Sequence, residues 1–288
     1  MTVTDNRPDT TEESDLTAGW TRWHDERETE LRAEHGWLSI TAFHWLTETP
    51  ATLPGLPGRW HSRDDWAHLG VDPADPDALV LAQGPAAGSA VRGAVTARVD
   101  EAGSTIWVRP GDRAVELVRR GGRYAVRVRD PRAPERLAFR GVPTFPVDPE
   151  WVRRGRLVPF AEPAAVTVET ARPDLRQQAT AVGTVEFVLD GRQHVLTATA
   201  GPRGRLALSF TDLTNGRLTA PWRVVSLDPP DETGSVVIDF NRTVNLPFAF
   251  SEFGTCPAPV AGNHLPVAVN AGERAPRRVT GPHATLAW

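Results

Sequence analysis

The stretch VEFVLDGRQHVLTATA (residues 185–200) contains two runs of alternating apolar and polar residues on either side of Asp190-Gly191. Alternation with a period of two is typical of β-strands with one buried face, and Asp-Gly is a strong signal for a hairpin turn. The same signals occur at Gly121-Gly122 and at Asn215-Gly216, which follows LALSFTD. Because no helical pattern separates these hairpins, the sequence predicts a mainly β protein with an antiparallel sandwich or barrel body.

Further alternating runs, punctuated by Pro and Gly, predict additional short strands. They are Leu79–Leu81, Ala94–Val99, Ile106–Arg109, Ala114–Arg119 and Tyr124–Arg129. A change of character near Arg140–Trp151 indicates two β units, at residues 49–140 and 141–288. The Pro-rich stretch 130–163 and the segment Ala171–Ala179 are predicted to be connectors.

The N-terminal region has a helical pattern instead. Residues spaced by three or four form one face: Leu16, Trp20, Trp23, Arg27 and Leu31. Ser14 or Asp15 is the predicted N-cap, and Gly36 follows the last turn. The spacing therefore predicts an amphipathic helix near residues 15–35 with a buried Trp20/Trp23/Leu31 face.

Two segments flank this helix. Residues 1–13 are polar and acidic, and we expect a disordered lead. They lack the basic and apolar regions of a secretion signal, so we expect a cytoplasmic protein. A second short helix is predicted at Ser39–Leu46, with Ser39 as its cap, so that residues 14–48 form a helical N-terminal region.

The composition excludes several classes of function. A net charge of -4 is too small to indicate nucleic acid or an anionic membrane as a partner, and no apolar run approaches the ~18 residues of a membrane span. All 32 basic residues are arginine, so a Schiff base, a P-loop lysine and a lysine general base are impossible. The GxGxxG and GxSxG motifs are absent, and we expect no cofactor.

The C-terminal stretch VVIDFNRTVNLPFAFSEFGTCPAPVAGNHLPVAV (residues 236–269) carries polar side chains among apolar ones. Asp239 follows an apolar run, and a buried carboxylate has a raised pKa that suits a general acid or base. We expect Arg223 or Arg242 as its partner. The alternative is an aspartate that accepts backbone N–H bonds and braces the following turn, a role that a tight ion pair would favour.

Three carboxamides accompany this aspartate, on Asn241, Asn245 and Asn263. Asparagine braces irregular loops, but its carboxamide can also orient or polarise a substrate carbonyl. The neighbouring Trp222 and Phe248 are candidates for the apolar wall of a substrate pocket.

Cys256 is the only cysteine of the chain and cannot form an intrachain disulfide. It lies in Thr-Cys-Pro, eight residues before His264. A Cys–His nucleophile requires an activated thiolate, whereas most such cysteines are small buried apolar residues. We include Cys256 among the candidate substrate-binding residues.

His61 and His68 lie close to Asp64 and Asp65 in WHSRDDWAH (residues 60–68). These are metal-ligand types, but no HExxH or Cys-x-x-Cys pattern is present, and the stretch is typical of a solvated loop. We expect no bound metal.

Ten tryptophans are present. Those of the predicted β part are Trp60, Trp66, Trp107, Trp151, Trp222 and Trp288. Such residues either pack in a core or form a wall for a flat apolar ligand, and the sequence leaves both possibilities open.

Six stretches together resemble the domain of unknown function 1684 family, which is mostly bacterial. They are GWLSITAFHWL (36–46), GRYAVRVRDP (122–131), FRGVPTFPVDPEW (139–151), DFNRTVN (239–245), TCP (255–257) and NHLPVAVNAGE (263–273). The likeness covers roughly residues 20–275. No biochemical role comes with this family, so the resemblance implies a pattern and no reaction.

The chain also departs from the family pattern. Similar proteins usually continue Asp-Phe-Asn as Ala-Tyr-Asn-Pro-x-Cys, whereas these places here hold Thr243, Val244, Asn245, Leu246 and Phe248. Ala220 and Gly262 stand where Tyr and Glu are common. The lost Tyr, Cys and Glu groups are all replaced by apolar or smaller ones, so the resemblance implies a pocket that is more apolar than is usual in the family.

The family's first β unit is sometimes similar to a forkhead-associated sandwich, and LGVDPADPDALVL (69–81) retains part of that sequence pattern. Phosphothreonine binding needs Arg and Ser on loops. Because this stretch offers neither, we do not expect phosphopeptide binding.

These observations lead to three hypotheses. The first is a small-molecule-binding protein that acts as a cofactor-independent enzyme of cyclase, isomerase or lyase type on a largely apolar substrate. It would use Asp239 and Arg223 for acid/base chemistry, in a setting of specialised metabolism. The second is a non-catalytic binding or interaction module with a decayed site. The third is a hydrolase that uses Cys256 or an Asp-activated water.

Overall fold

The computed structural model describes residues 10–72, 74 and 79–277 of the chain, and side chains from Ser14 onwards. The predicted fold class is confirmed, because the strands form three antiparallel sheets and a long helix, α1, occupies Thr10–Arg32. None of the described helices has the length and apolar character that crossing a membrane requires.

Helix α1 begins earlier than the sequence indicated. Residues 10–13, predicted to be part of a disordered lead, already form its first turn, and residues 1–9 lie outside the described residues. Leu31 is buried as predicted, whereas Trp20 and Trp23 are only half-buried.

The chain divides into two compact units. We call residues 31–139 with 251–255 the two-sheet unit, and residues 10–30, 140–250 and 256–277 the seven-stranded unit.

The described residues of the two-sheet unit form nine strands and a short helix, α2, at Pro134–Ala138. The strands are β1 (Ile40–Trp45), β2 (Ala51–Leu53), β3 (Leu56–Arg63), β4 (Trp66–Val71), β5 (Val80–Leu81), β6 (Gly93–Ala97), β7 (Ser104–Arg109), β8 (Ala114–Arg120) and β9 (Arg123–Arg129). One sheet has the order β1-β9-β8-β7-β5 and the other the order β2-β3-β4-β6. Both contribute to one buried core, in which the Trp60 and Trp107 rings meet edge to face.

The predicted second helix at Ser39–Leu46 is wrong. After a 3-10 turn at Trp37–Ser39, strand β1 pairs antiparallel with β9. The residues of β1 are mostly β-branched or aromatic, which suits a pleated strand that packs against a neighbour better than it suits an isolated short helix.

The seven-stranded unit is built on a single sheet of order β15-β10-β11-β12-β13-β14-β16. Its strands are β10 (Val152–Glu169), β11 (Arg176–Leu189), β12 (Arg192–Ala200), β13 (Leu206–Phe210), β14 (Arg223–Leu227), β15 (Ser235–Asp239) and β16 (Val244–Asn245). The predicted hairpin at Asp190-Gly191 joins β11 to β12. The ring of Phe240, which is fully buried, contacts Trp151, Phe187 and Phe210 in the core.

Strand β10 was missed in the sequence, where its residues up to Pro163 were predicted to be part of a connector. It pairs with β11, but the register shifts between Pro159 and Ala164. A proline cannot donate a ladder hydrogen bond and is tolerated at bulges and edges, so the prolines that argued against a strand lie where the strand is irregular.

Candidate functional site

Asp239 ends β15 and caps the 3-10 turn Phe240–Arg242. Its Oδ1 accepts hydrogen bonds from the backbone N–H and the side-chain Nδ2 of Asn241, both at 3.0 Å. Its Oδ2 lies 3.2 Å from Nε of Arg242. Of the two arginines predicted as its partner, the structure therefore places Arg242 there, and 18% of the aspartate side chain is exposed.

Arg223 is instead fully buried beside a different acid. Its Nη2 lies 2.9 Å from Oδ2 of Asp212, and neither side chain is exposed. Nη1 donates to the backbone carbonyls of Ala271 and Glu273, and Nη2 also donates to that of Val269. Among the described residues, Nε of Arg223 has no hydrogen-bond partner. Burial lowers the pKa of Arg223, and the carboxylates of Asp212 and Glu273 oppose that effect.

Asn241 and Asn263 use their carboxamides in the same way. Asn241 accepts from the N–H of Asp148 at 3.1 Å and donates to its carbonyl at 2.9 Å. Asn263 accepts from the N–H of Thr197 at 2.8 Å and donates to its carbonyl at 2.9 Å. Asn263 also donates to the carbonyl of Ser209, so it bridges β12 and β13 where these strands no longer pair. Each carboxamide thus replaces a neighbouring peptide group.

Asn245 is fully buried opposite Arg223 in the sheet. Its Nδ2 donates to the carbonyl of Arg274, and its backbone N–H donates to Oε2 of Glu273 at 2.6 Å. The other carboxylate oxygen of Glu273 accepts a hydrogen bond from Nε of Arg27 at 3.0 Å, and this bond connects helix α1 to the region. Within the described part of the chain, Oδ1 of Asn245 has no hydrogen-bond partner.

Asp212 and Glu273 were not predicted from the sequence. Asp212 follows an apolar strand run, as Asp239 does, and Glu273 lies in the quoted motif NHLPVAVNAGE. An acid close to the end of an apolar run, in a chain that also buries an arginine, is the signal that would have found Asp212.

Trp222 and Phe248 stack with a centroid distance of 4.0 Å and an interplanar angle of 25°. Trp222 also donates its indole N–H to the carbonyl of Pro257 at 3.0 Å. Cys256 is buried, and the His264 ring lies 2.9 Å from the hydroxyl of Thr211. These residues therefore make contacts within the seven-stranded unit.

The part of this stretch that reaches solvent lies beneath helix α1. The Arg242 guanidinium, with 39% of its side chain exposed, lies 5.7 Å from the centroid of the Trp23 ring. Trp20 donates its indole N–H to the carbonyl of Asn241 at 2.8 Å and stacks on His24. Asp239, Arg242 and Trp23 thus form one accessible group.

His61 and His68 face each other across β3 and β4, and their rings stack with a centroid distance of 4.6 Å. Burial lowers the pKa of His61, and the positive charges of His68 and Arg63 lower it further. Among the described residues, no three His, Cys, Asp or Glu side chains come together as a possible metal site.

A cleft with a volume of about 460 Å³ lies along β5, β6 and β7 in the two-sheet unit. Its apolar lining includes Leu81, Val95, Ile106 and Trp107, and its polar lining includes Gln83. No pattern in the sequence predicted this cleft, apart from the open interpretation of Trp107, which belongs both to the core and to this lining.

Comparison with known proteins supports a family for part of the chain. Residues 137–274 match the model described as "Protein of unknown function (DUF1684)". The match includes the motifs from FRGVPTFPVDPEW onwards, whereas GWLSITAFHWL and GRYAVRVRDP lie outside it. No curated protein matches the chain.

Among solved structures, the chain is similar to the solution NMR structure of an uncharacterized protein of Haloarcula marismortui. The two are 29% identical, with a TM-score of 0.42, over 49% of this chain and 80% of the archaeal one. Residues 137–274 of the present chain are thus similar to the DUF1684 family.

Proposed function

We propose that this chain is a small-molecule-binding protein whose C-terminal stretch of residues 236–269 holds the fold together without catalysis. We call this stretch, with the sheet neighbour of its Asn245, Arg223, the Asp-Phe-Asn stretch. The observation that carries the proposal is the cleft of the two-sheet unit, whose volume of about 460 Å³ lies within the range of ligand pockets. Its lining is mostly apolar with a few polar groups, the usual composition of a small-molecule site.

The hydrogen bonding of the Asp-Phe-Asn stretch supports the non-catalytic part of the proposal. Arg223, Asn241 and Asn263 are buried and bonded to other groups of the chain. A substrate that recruited them would leave buried partners unsatisfied, at a cost of about 1–3 kcal/mol for each group.

The first experiment is a titration with a neutral, apolar fluorescent probe, N-phenyl-1-naphthylamine. We expect saturable binding to the wild-type protein. Ala86 lines the cleft on an exposed loop, whereas its exposed neighbour Ala87 is not among the lining residues. Ala86→Trp should weaken binding by about tenfold or more, equivalent to about 1.4 kcal/mol, and Ala87→Trp should not.

A wild-type protein that does not bind the probe saturably would overturn the proposal. Equal binding by both tryptophan variants and the wild type would show that the probe binds elsewhere. Ala97→Phe, on the wall formed by β6, provides an independent block, with circular dichroism as the check that each variant folds.

A cofactor-independent enzyme of cyclase, isomerase or lyase type is the second candidate, and one observation favours it. Asp239 keeps 18% of its side chain exposed and lies beside Arg242, whose guanidinium faces Trp23. An apolar substrate on Trp23 would place its reacting group near the carboxylate.

Asp239→Asn tests this second candidate once a substrate is in hand. An acid or base catalyst contributes about 10²–10⁴-fold, so a loss of that size at an unchanged melting temperature would support the enzyme. A brace would instead lose stability, because the substitution removes the carboxylate that faces Arg242. Cys256→Ser should leave turnover intact in both cases, and its inactivation would favour the hydrolase.

A further inference from the structure

The described lining of the cleft includes a positively charged hydrogen-bond donor but no negatively charged acceptor. Among the described residues that line it, Arg98 is the single charged one, and none of them is acidic. The polar lining residues are Gln83, Thr96 and Thr105. A partly exposed cation beside an apolar wall is a feature that a ligand anion would complement.

Arg98 shares its acidic partner with a second arginine. Asp65 lies 2.8 Å from Arg98 and 2.6 Å from Arg119, so one carboxylate is shared by two guanidiniums. Half of the Arg98 side chain is exposed. Glu101 also acts electrostatically on Arg119, whereas Arg98 is the member of this group that reaches the cleft.

Gln83 adds a neutral donor. Its Oε1 accepts the hydroxyl hydrogen of Thr105 at 2.7 Å, which fixes the orientation of the carboxamide. The amide NH₂ then remains available, because the hydrogen bonds of the described residues give it no acceptor. Glutamine and arginine thus both offer N–H groups to a molecule in the cleft.

The apolar wall lies where the two sheets end. β6 is the last strand of the four-stranded sheet, and the short β5 covers β7 only at Val108 and Arg109. The side chains of Leu81, Val95 and Ile106 therefore meet the cleft between two strand edges.

We propose that the cleft binds an amphipathic monocarboxylate, with the apolar body against the wall formed by β5, β6 and β7 and the carboxylate on Arg98 and Gln83. The inference rests on the proposed function, because it assigns a ligand class to the same cleft. A charge-assisted hydrogen bond to guanidinium is about twice as strong as a neutral one, so the head group would decide between ligands of equal apolar size.

The test compares 4-phenylbutanoate with 4-phenylbutan-1-ol, which share one apolar body, by displacement of N-phenyl-1-naphthylamine. We expect the wild-type protein to bind the acid about tenfold or more tightly than the alcohol, the factor that corresponds to one charge-assisted bond. Arg98→Gln should remove this preference and leave the affinity for the alcohol unchanged.

Arg92→Gln is the matched control, because Arg92 is exposed, immediately precedes β6 and does not line the cleft. It changes the net charge equally and should keep the preference for the acid. If Arg98→Gln does not fold, the wild-type protein can be tested at raised salt concentration instead. Salt should weaken the binding of the acid and leave that of the alcohol unchanged.

The outcomes separate the two proposals. Equal affinity of the wild-type protein for acid and alcohol would overturn the carboxylate class while small-molecule binding stands. An acid preference that survives in Arg98→Gln, or that disappears equally in Arg92→Gln, would also overturn it. Failure of the neutral probe itself to bind would overturn the proposed function.

Discussion

The Asp-Phe-Asn stretch and the cleft of the two-sheet unit show opposite relations between sequence and exposure. The first has conspicuous polar residues in an oily sequence, yet Asn241, Asn263 and Arg223 are buried and bonded to the chain itself. The cleft is built from unremarkable stretches, yet Gln83 and Arg98 face a ligand-sized space.

The difference teaches what a polar residue in an apolar run signifies. Burying a polar group is costly unless it is hydrogen-bonded, so such residues are retained when the fold supplies partners. The pattern therefore indicates a demand for hydrogen bonds, and whether a ligand or the backbone meets this demand depends on the tertiary structure.

The largest loss of stability that would test this comparison is expected on substitution of Arg223. Arg223→Met leaves the Asp212 carboxylate buried without its cation, which costs about 3–5 kcal/mol for a buried pair. Arg242→Met is the matched control: its pair with Asp239 is partly exposed, so we expect a loss of up to about 1 kcal/mol. Urea unfolding monitored by tryptophan fluorescence measures both. Equal losses for the two variants would show that Arg223 is not the structural member of the stretch.

A second large effect is expected at Gly272, which has a φ of +73°. A Cβ there would collide with the carbonyl oxygen of Thr243 and approach its Cβ to 2.8 Å. Gly262 also has a positive φ, of +89°, but an added Cβ would meet no atom within 4 Å. Gly262→Ala should cost about 1 kcal/mol from backbone strain alone, and Gly272→Ala about 1–3 kcal/mol more from overpacking.

Thermal unfolding of the two alanine variants measures that difference. If Gly272→Ala were no more destabilised than Gly262→Ala, the loop at Thr243 would have to move easily. Such a loop would fit an adaptable binding site better than a brace.

Asn263 gives a smaller effect of the same kind. Asn263→Leu removes the partners of the Thr197 N–H, the Thr197 carbonyl and the Ser209 carbonyl, and we expect a loss of about 1–3 kcal/mol. Asn270→Leu is the control on an exposed residue, with an expected change within about 0.5 kcal/mol. A stable Asn263→Leu protein would contradict the interpretation of this carboxamide as a replacement for a peptide group.

The predictable part of the molecule was local. Strands β8, β9, β11 and β12 and their turns follow from alternation and from Gly and Asp-Gly signals, because each hairpin is decided by adjacent residues. The error at β1 has a physical cause: a six-residue strand with half-buried side chains on both faces lacks alternation, and its partner β9 is about 80 residues away in sequence.

The site was less predictable than the fold for a related reason. Asp239 and Arg242 are three residues apart, so one of the two predicted partners was within local reach. The pairs of Arg27 with Glu273, and of Asn241 with Asp148, join residues far apart in the chain. The cleft depends on where the edges of two sheets lie, which no short motif encodes.

The smallest predicted effect is a pH dependence that involves His61 and His44, in the same unit as the cleft. Burial lowers the pKa of His44 below its usual 6.5, and burial together with His68 and Arg63 lowers that of His61. The unfolded chain then binds these protons more readily than the folded one, so their contribution to stability is complete above pH 6.5 and falls as the pH drops below it. We expect the free energy of unfolding, from urea titrations between pH 8 and 5, to decrease towards pH 5 less steeply in His61→Gln and in His44→Gln than in the wild-type protein. If the dependence of the unfolding free energy on pH were unchanged in both variants, neither imidazole would resist protonation in the folded state. His61 and His44 would then be as accessible to solvent as the cleft.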